Sequence, residues 1–194
     1  MPEKILDRFV KAFANAMKLV DAEKPIAKKN FSPGIGPHEE VKTVALVLSE
    51  IKSCGLMGEA FDYKPEVHYP DGSKKCDLRL LHDDTRLYVE VKMMRKLRNN
   101  GDPEDYATAH ILSPYPSDRS ALTDIDKLRN SGLHGPKAIL IYGYDYDEFP
   151  LETVIDAFEQ LADSKLGNRV SASFAGLVHP FHTHGVVHGW LVRE

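Results

Sequence analysis

The spacing of apolar positions along this chain switches between a helical and an alternating period, and each switch marks an element. Ile5, Phe9, Phe13, Met17 and Val20 recur at helical spacing and predict a first helix over about 3–22. EKPIAKKNFSPGIGP, rich in Pro, Gly and Lys, reads as a loop. A second helix is expected from near His38, with Val41, Val44, Ala45, Val47, Leu48 and Ile51 as its buried stripe and Gly55 and Gly58 closing it. FDYKPEVHY is a strand, and PDGSK turns it into the next segment. From Lys74 to Met94, KKCDLRLLHDDTRLYVEVKMM alternates as a β-hairpin. Residues 95–119 lack periodicity, and a loop of that length is often a functional flap, with Tyr106 and Tyr115 as its aromatic members. SALTDIDKLRNSG is a helix closed by Gly132, and KAILIYGYD is an apolar strand. LETVIDAFEQLADSK is an amphipathic helix. RVSASFAGLVHP and GVVHGWLVRE form a last pair of strands, with Trp190 in the core.

The order α, α, β, β, β, α, β, α, β, β predicts an α/β protein, a mixed β-sheet flanked by helices, in a single domain over 1–194. An αβββαβ core spans 38–145, preceded by an added N-terminal helix. Residues 151–194 add a C-terminal helix plus β-hairpin that extends the sheet.

Folding the 74–94 hairpin about a two-residue turn at Asp83-Asp84 sets Leu81 opposite Arg86, Arg79 opposite Tyr88 and Asp77 opposite Glu90. Lys75, Asp77, Arg79, Tyr88, Glu90 and Lys92 then share one face, and Cys76, Leu78, Leu80, Leu87, Val89, Val91 and Met93 the other. Opposed like charges cost stability unless something binds between them. Two carboxylates with a lysine two residues along suit a Mg²⁺ site with a cationic neighbour. The alternative is a solvated salt-bridge ladder on an exposed face, worth little.

The chain of 194 residues is 42% hydrophobic and 28% charged, a globular composition. There is no long apolar run, so no membrane span is expected, and the charged N-terminus is an amphipathic helix rather than a signal peptide. Cys54 and Cys76 have no metal-type spacing and fit a reducing, cytoplasmic setting. With a formal net charge of −4, any nucleic-acid contact must come from a local patch.

The element order, with Asp77, twelve intervening residues and then Glu90-Val91-Lys92, resembles the PD-(D/E)XK nuclease superfamily of restriction-endonuclease-like fold, over roughly 38–145. The Pro of the family's motif is replaced by Cys76, and the literal Pro70-Asp71 lies in a turn. The resemblance implies a Mg²⁺-dependent (or Mn²⁺-dependent) endonuclease acting on DNA. Asp77 and Glu90 would bind the metal, and Lys92 would orient or activate the attacking water. Glu40 would be the auxiliary acid from the preceding helix, with Glu39 its competitor, since adjacent helix residues cannot share a face. A catalytically inactive binding or scaffold protein of the same fold is the alternative, reaching nucleic acid or a protein through the 95–119 loop. Double-strand cutting would call for a homodimer, with the last two strands as its interface, and the acidic balance argues for a protein partner that supplies recognition.

Arg95, Lys96 and Arg98 form the best local patch for phosphate. Lys127 and Arg129, preceded by Thr123 and Asp124, lie on the helix that this superfamily often places near the scissile phosphate; a polar outer helix face is the other reading. His179, His182, His184 and His188 invite a transition metal. However, a hairpin around Thr183-His184-Gly185 would put them on opposite strands and alternating faces. No Gly-rich phosphate loop, nucleophile elbow or HExxH helix is present.

Overall fold

The structure, a computed structural model, describes residues 1–23, 33–72 and 74–193. Residues 24–32 of the expected EKPIAKKNFSPGIGP loop, Ser73 of the PDGSK turn and Glu194 lie outside the described residues. The elements are α1 (Pro2–Glu23), α2 (Glu40–Ser53), β1 (Phe61–His68), β2 (Lys75–His82), β3 (Thr85–Met94), α3 (Ala109–Leu112), α4 (Ala121–Arg129), β4 (Lys137–Tyr144), α5 (Leu151–Ala162), β5 (Val170–Ala175) and β6 (His184–Leu191). The strands form one six-stranded mixed sheet in the order β1-β2-β3-β4-β6-β5. Only β3 and β4 run parallel. A parallel pair needs a long crossover, which residues 95–136 supply with α3 and α4.

Each face of the sheet has its own core. Phe9, Phe13, Met17 and Val20 on α1 are buried with Leu48 and Ile51 of α2 against Leu78, Leu80, Leu87, Val89, Leu140 and Tyr142. On the other face Ile125 and Leu128 of α4 and Ile155 and Phe158 of α5 pack on Tyr88, Ile139, Ile141 and Trp190. β4, buried along its whole length, is the centre of both. No helix among the described residues is long and apolar enough to cross a membrane.

The hairpin turn falls at Asp83-Asp84, since His82 pairs with Thr85. The expected facing of Cys76 does not hold. Pro65 pairs with Leu78 and Val67 with Cys76, while Glu66 and Asp77 between them are unpaired. Glu66 adopts φ 50, a left-handed conformation uncommon for a residue with a side chain. Such a residue breaks the alternation of the strand. Leu78 therefore belongs to the α1 face, and Cys76 and Val67 to the α4 face.

Two loops also differ from expectation. Residues 95–119 are ordered by α3, a 3₁₀ turn at Pro116–Asp118 and a bridge between Leu97 and Pro103. Of the expected hairpin tip at Thr183-His184-Gly185, His184 and Gly185 are already strand, because β6 starts at His184, which pairs with Ala175. The reversal is made earlier, where His179 Nδ1 accepts the N–H groups of Phe181 and His182 at 3.2 and 3.1 Å.

Asp21, buried near the end of α1, accepts Ile35 N–H through Oδ1 at 2.8 Å and Val178 N–H through Oδ2 at 2.7 Å. It thereby ties the segment before α2 to the segment before β6. Gly34, at φ 96, allows this approach: a Cβ there would stand 2.5 Å from Asp21 Oδ1 and 2.8 Å from Val178 Cγ2. Gly34→Ala is therefore expected to destabilise the protein by about 2–4 kcal/mol, from left-handed strain plus overpacking. Denaturant unfolding checks this, and an unchanged midpoint would refute the account.

Candidate active site

The site forms where β2 and β3 stop pairing. Their ladder ends at Leu78↔Val89. Asp77, one residue further, does not face Glu90 across a regular ladder as the sequence suggests. It turns its carboxylate to the next strand's backbone and accepts Val91 N–H through Oδ2 at 2.9 Å. Asp77 stays exposed, whereas Glu90 is only 1% exposed. The two carboxyls still approach within hydrogen-bonding reach.

Glu90 and Lys92 project from β3 toward α4. Ala121, Asp124, Ile125 and Leu128 form the buried stripe of that helix, so Asp124 is a carboxylate at a core position. Lys127 lies one turn on from Asp124, on the same face. Lys92 Nζ stands 2.8 Å from Asp124 Oδ2, and Lys127 Nζ stands 2.7 Å from Glu90 Oε1 and 3.5 Å from Asp124 Oδ1. Tyr69 donates its hydroxyl to Glu90 Oε1 at 3.1 Å. Glu90 Oε2 is buried with no donor beside it among the described residues. Glu40 opens α2, and its Oε2 accepts Met93 N–H. Glu39, the helix's N-cap, is exposed.

Burial pushes the Glu90 carboxyl up to about 8, with Asp77 and Asp124 adding to the rise and Lys127 opposing it. Burial also raises Glu40, against Lys92 and the Met93 N–H, which favour its charge. Burial works to depress Lys92 and Lys127. The facing carboxylates outweigh it, Asp124 and Glu40 for Lys92 and Glu90 and Asp124 for Lys127, so both ammoniums are held above their ordinary value. The cluster is thus a buried lattice of two lysines and two carboxylates, with Asp77 and Glu40 at its margin.

Of the residues expected from sequence, Asp77, Glu90, Lys92, Glu40 and Lys127 come together here. Arg95, Lys96 and Arg98 do not form one patch. Arg95 donates to Gly36 C=O at 3.0 Å and Asn99 Oδ1 at 3.3 Å. Lys96 lies over the Phe149 ring at 5.9 Å, and Arg98 pairs with Glu104 and Asp105. Tyr69 is the member that sequence reasoning missed, and Asp124, noted on its helix, was given no role in the site. A carboxylate inside the apolar stripe Ala121–Ile125–Leu128 was the available signal for Asp124.

The carboxylates suit a hard divalent cation such as Mg²⁺, which takes one or two protein carboxylates and keeps several waters. Asp77 and Glu90 are the pair that would hold it, and the buried, donorless Glu90 Oε2 is the observation that fits it. No group of three or more His, Cys, Asp or Glu side chains is gathered for a metal among the described residues.

The four histidines divide. His179 and His182 are buried and stacked, with centroids 4.3 Å apart and planes 8° from parallel. His184 is exposed, and His188 packs beside Trp190 on the α5 side, its Nδ1 2.8 Å from Ser171 Oγ. His182 Nδ1 lies 2.8 Å from the Tyr146 hydroxyl and its Nε2 3.3 Å from Asn99 Oδ1. Asn99 reaches Pro37 C=O at 3.5 Å, and a Cβ on Gly36 would stand 3.0 Å from the His182 ring and 3.1 Å from His179 Cβ. The imidazole pair is therefore a wedge behind the Gly36-Pro37 turn, which leads into Glu40.

Comparisons with protein-family models, with curated proteins and with solved structures each found no match to this chain.

Burial, His179 and Arg95 hold His182 down at about 3. Between that value and its ordinary 6.5 the unfolded chain binds the extra proton, so this contribution to stability is lost as pH falls through the window. Because Glu90 works against it and His188 with it over the same range, the effect is read as a difference: the stability advantage of wild type over His182→Phe should shrink as pH falls from 7 to 4. Glu90 has the opposite sign. Its folded value of about 8 lies above the ordinary 4.5, so stability falls as pH rises between them. In EDTA, Glu90→Gln should remove that fall, and a wild-type slope in the variant would refute the assignment.

Proposed function

We propose that the protein is a Mg²⁺-dependent nuclease that hydrolyses phosphodiester bonds in DNA, built on a restriction-endonuclease-like αβββαβ core. The observation that carries this reading is the release of Asp77 from the β2–β3 ladder beside Glu90, with Lys92 one pleat further and Glu40 entering from α2. A merely solvated ladder would keep its register and leave its charges in water. Here Glu90 and Asp124 are buried, and Lys92 is largely so. Perturbed, clustered ionisable groups of this kind favour a functional site.

Bound between Asp77 and Glu90, Mg²⁺ would supply a positioned water and neutralise charge developing on the phosphate. Lys92, kept cationic by Asp124 and Glu40, stabilises the transition state electrostatically and orients the attacking water. Lys127, paired with Glu90, would serve as a second cation near the phosphate. Glu40, anchored on Met93, is the auxiliary carboxylate.

The second reading is a silent binding protein of the same architecture. What favours it is the Lys127–Glu90 contact of 2.7 Å, since the ammonium already compensates the carboxylate that a metal would use.

Supercoiled plasmid with Mg²⁺ or Mn²⁺ tests the reading. Cleavage should vanish in EDTA and drop at least about a hundredfold in Asp77→Ala. That variant should fold, because Asp77 is exposed and its loss removes one hydrogen bond, worth about 1 kcal/mol. Undiminished cleavage in Asp77→Ala would overturn the assignment. Mg²⁺ calorimetry separates the second reading: a silent protein gives no binding heat that depends on Asp77 and Glu90.

A further inference from the structure

A groove of about 410 Å³ opens between α2 and the β1–β2 edge, and Glu40 and Asp77 of the proposed active site line it. Its other walls are mostly apolar: Val41, Val44, Ala45 and Leu48 from α2, Tyr63 and Pro65 from β1, and Val91 from β3. Val41 is 82% exposed, a large apolar side chain left in water at the helix start. Every charged group in the lining, Glu40, Glu66 and Asp77, is acidic.

We propose that this groove takes an unpaired nucleobase adjoining the scissile phosphate, so that the substrate is single-stranded or locally unpaired DNA. The inference rests on the nuclease reading above. The argument is one of charge and continuity. A sugar–phosphate backbone needs cations along its path, and this lining offers none. A base is neutral, and its faces gain from apolar and aromatic surface. The volume exceeds that of one base. The groove runs directly into the carboxylates of the reacting centre, so a phosphate held there through the metal carries its own nucleoside into the groove. Bases stacked in a duplex cannot offer their faces to such a wall, whereas an unstacked base can.

The test uses a fluorescein-labelled twelve-nucleotide oligo(dT) and its duplex with oligo(dA). Binding is read by anisotropy with Ca²⁺ in place of Mg²⁺, and cleavage is read separately with Mg²⁺. The single strand should bind and be cut at least about tenfold better than the duplex. Tyr63→Ala should weaken single-strand binding about tenfold, the usual effect of losing one aromatic base platform. Val41→Glu should do the same without a folding cost, because its side chain stands in solvent. Equal use of duplex and single strand, with both variants at wild-type affinity, would overturn the groove assignment and leave the metal site standing. That is also the result if the groove receives a protein side chain. Absence of any metal-dependent cleavage of either DNA, with no Asp77-dependent binding of metal, would overturn the nuclease reading and this inference with it.

Discussion

The site depends on one interruption in hydrogen bonding, where the β2–β3 ladder ends at Leu78 and leaves residues 75–77 of β2 unpaired with β3. Had the ladder continued, Asp77 and Glu90 would be cross-strand partners with two like charges in contact, a destabilising arrangement. The strand departs from that pairing by a local inversion, although Asp77 still raises the Glu90 carboxyl. Glu66 adopts a left-handed conformation, Asp77 turns its carboxylate to Val91 N–H, and Cys76 moves to the face that Leu78 does not share. The backbone donor of Val91 would otherwise be exposed by the splay, so Asp77 satisfies it and is oriented by it. Strained conformations of this kind persist where the surroundings over-determine them, and they concentrate at functional sites.

Behind the splay, the buried charges have to balance. Glu90 and Asp124 are almost fully buried, and such groups survive only when paired. Lys92 bonds Asp124, and Lys127 bridges Glu90 and Asp124, so each carboxylate has an ammonium and each ammonium a carboxylate. Glu90 is the weak member. It sits deepest, it has Asp77 within hydrogen-bonding reach, and one of its oxygens lacks a donor. The repulsion is relieved by a proton on Glu90, and under the proposed function a cation held by Glu90 and Asp77 would compete with that proton for the same oxygens.

The hairpin was legible because register in a half-buried strand pair follows from alternation and turn length. That logic correctly placed the turn at Asp83-Asp84 and the apolar stripe from Leu78 to Val91; helical spacing placed α1 and α2, but Val41 and Ala45, expected in the buried stripe of α2, are exposed. It misplaced Cys76 because alternation assumes an unbroken pleat, and the signal for the break was a conformation at Glu66 that no residue type announces. Asp124 was given no role for a different reason. A polar residue in a short helix reads as surface until the partners that bury it, Lys92 and Lys127, are brought in from elsewhere. The histidines were read as a metal question, and their answer lies in packing. His179 and His182 stack because the chain reverses on His179 Nδ1 before β6 begins, a loop geometry that spacing does not encode.

That stacked pair also explains how Glu40, far from β3 in sequence, is set to within a hydrogen bond of it. The N-cap of α2, Glu39, makes no side-chain capping bond, so the helix does not locate its own start. The location comes from outside. Arg95 holds Gly36, Asn99 holds Pro37, His182 backs Gly36, and Asp21 holds Ile35. Three segments remote in sequence, the end of α1, the 95–99 loop and the turn before β6, thus converge on the turn into α2. The positive end of the helix then favours a charge on Glu40, while burial disfavours it. With the helix start fixed and Glu40 bound to Met93, the same turn sets α2 against β1 along the wall of the groove that holds Glu40 and Asp77.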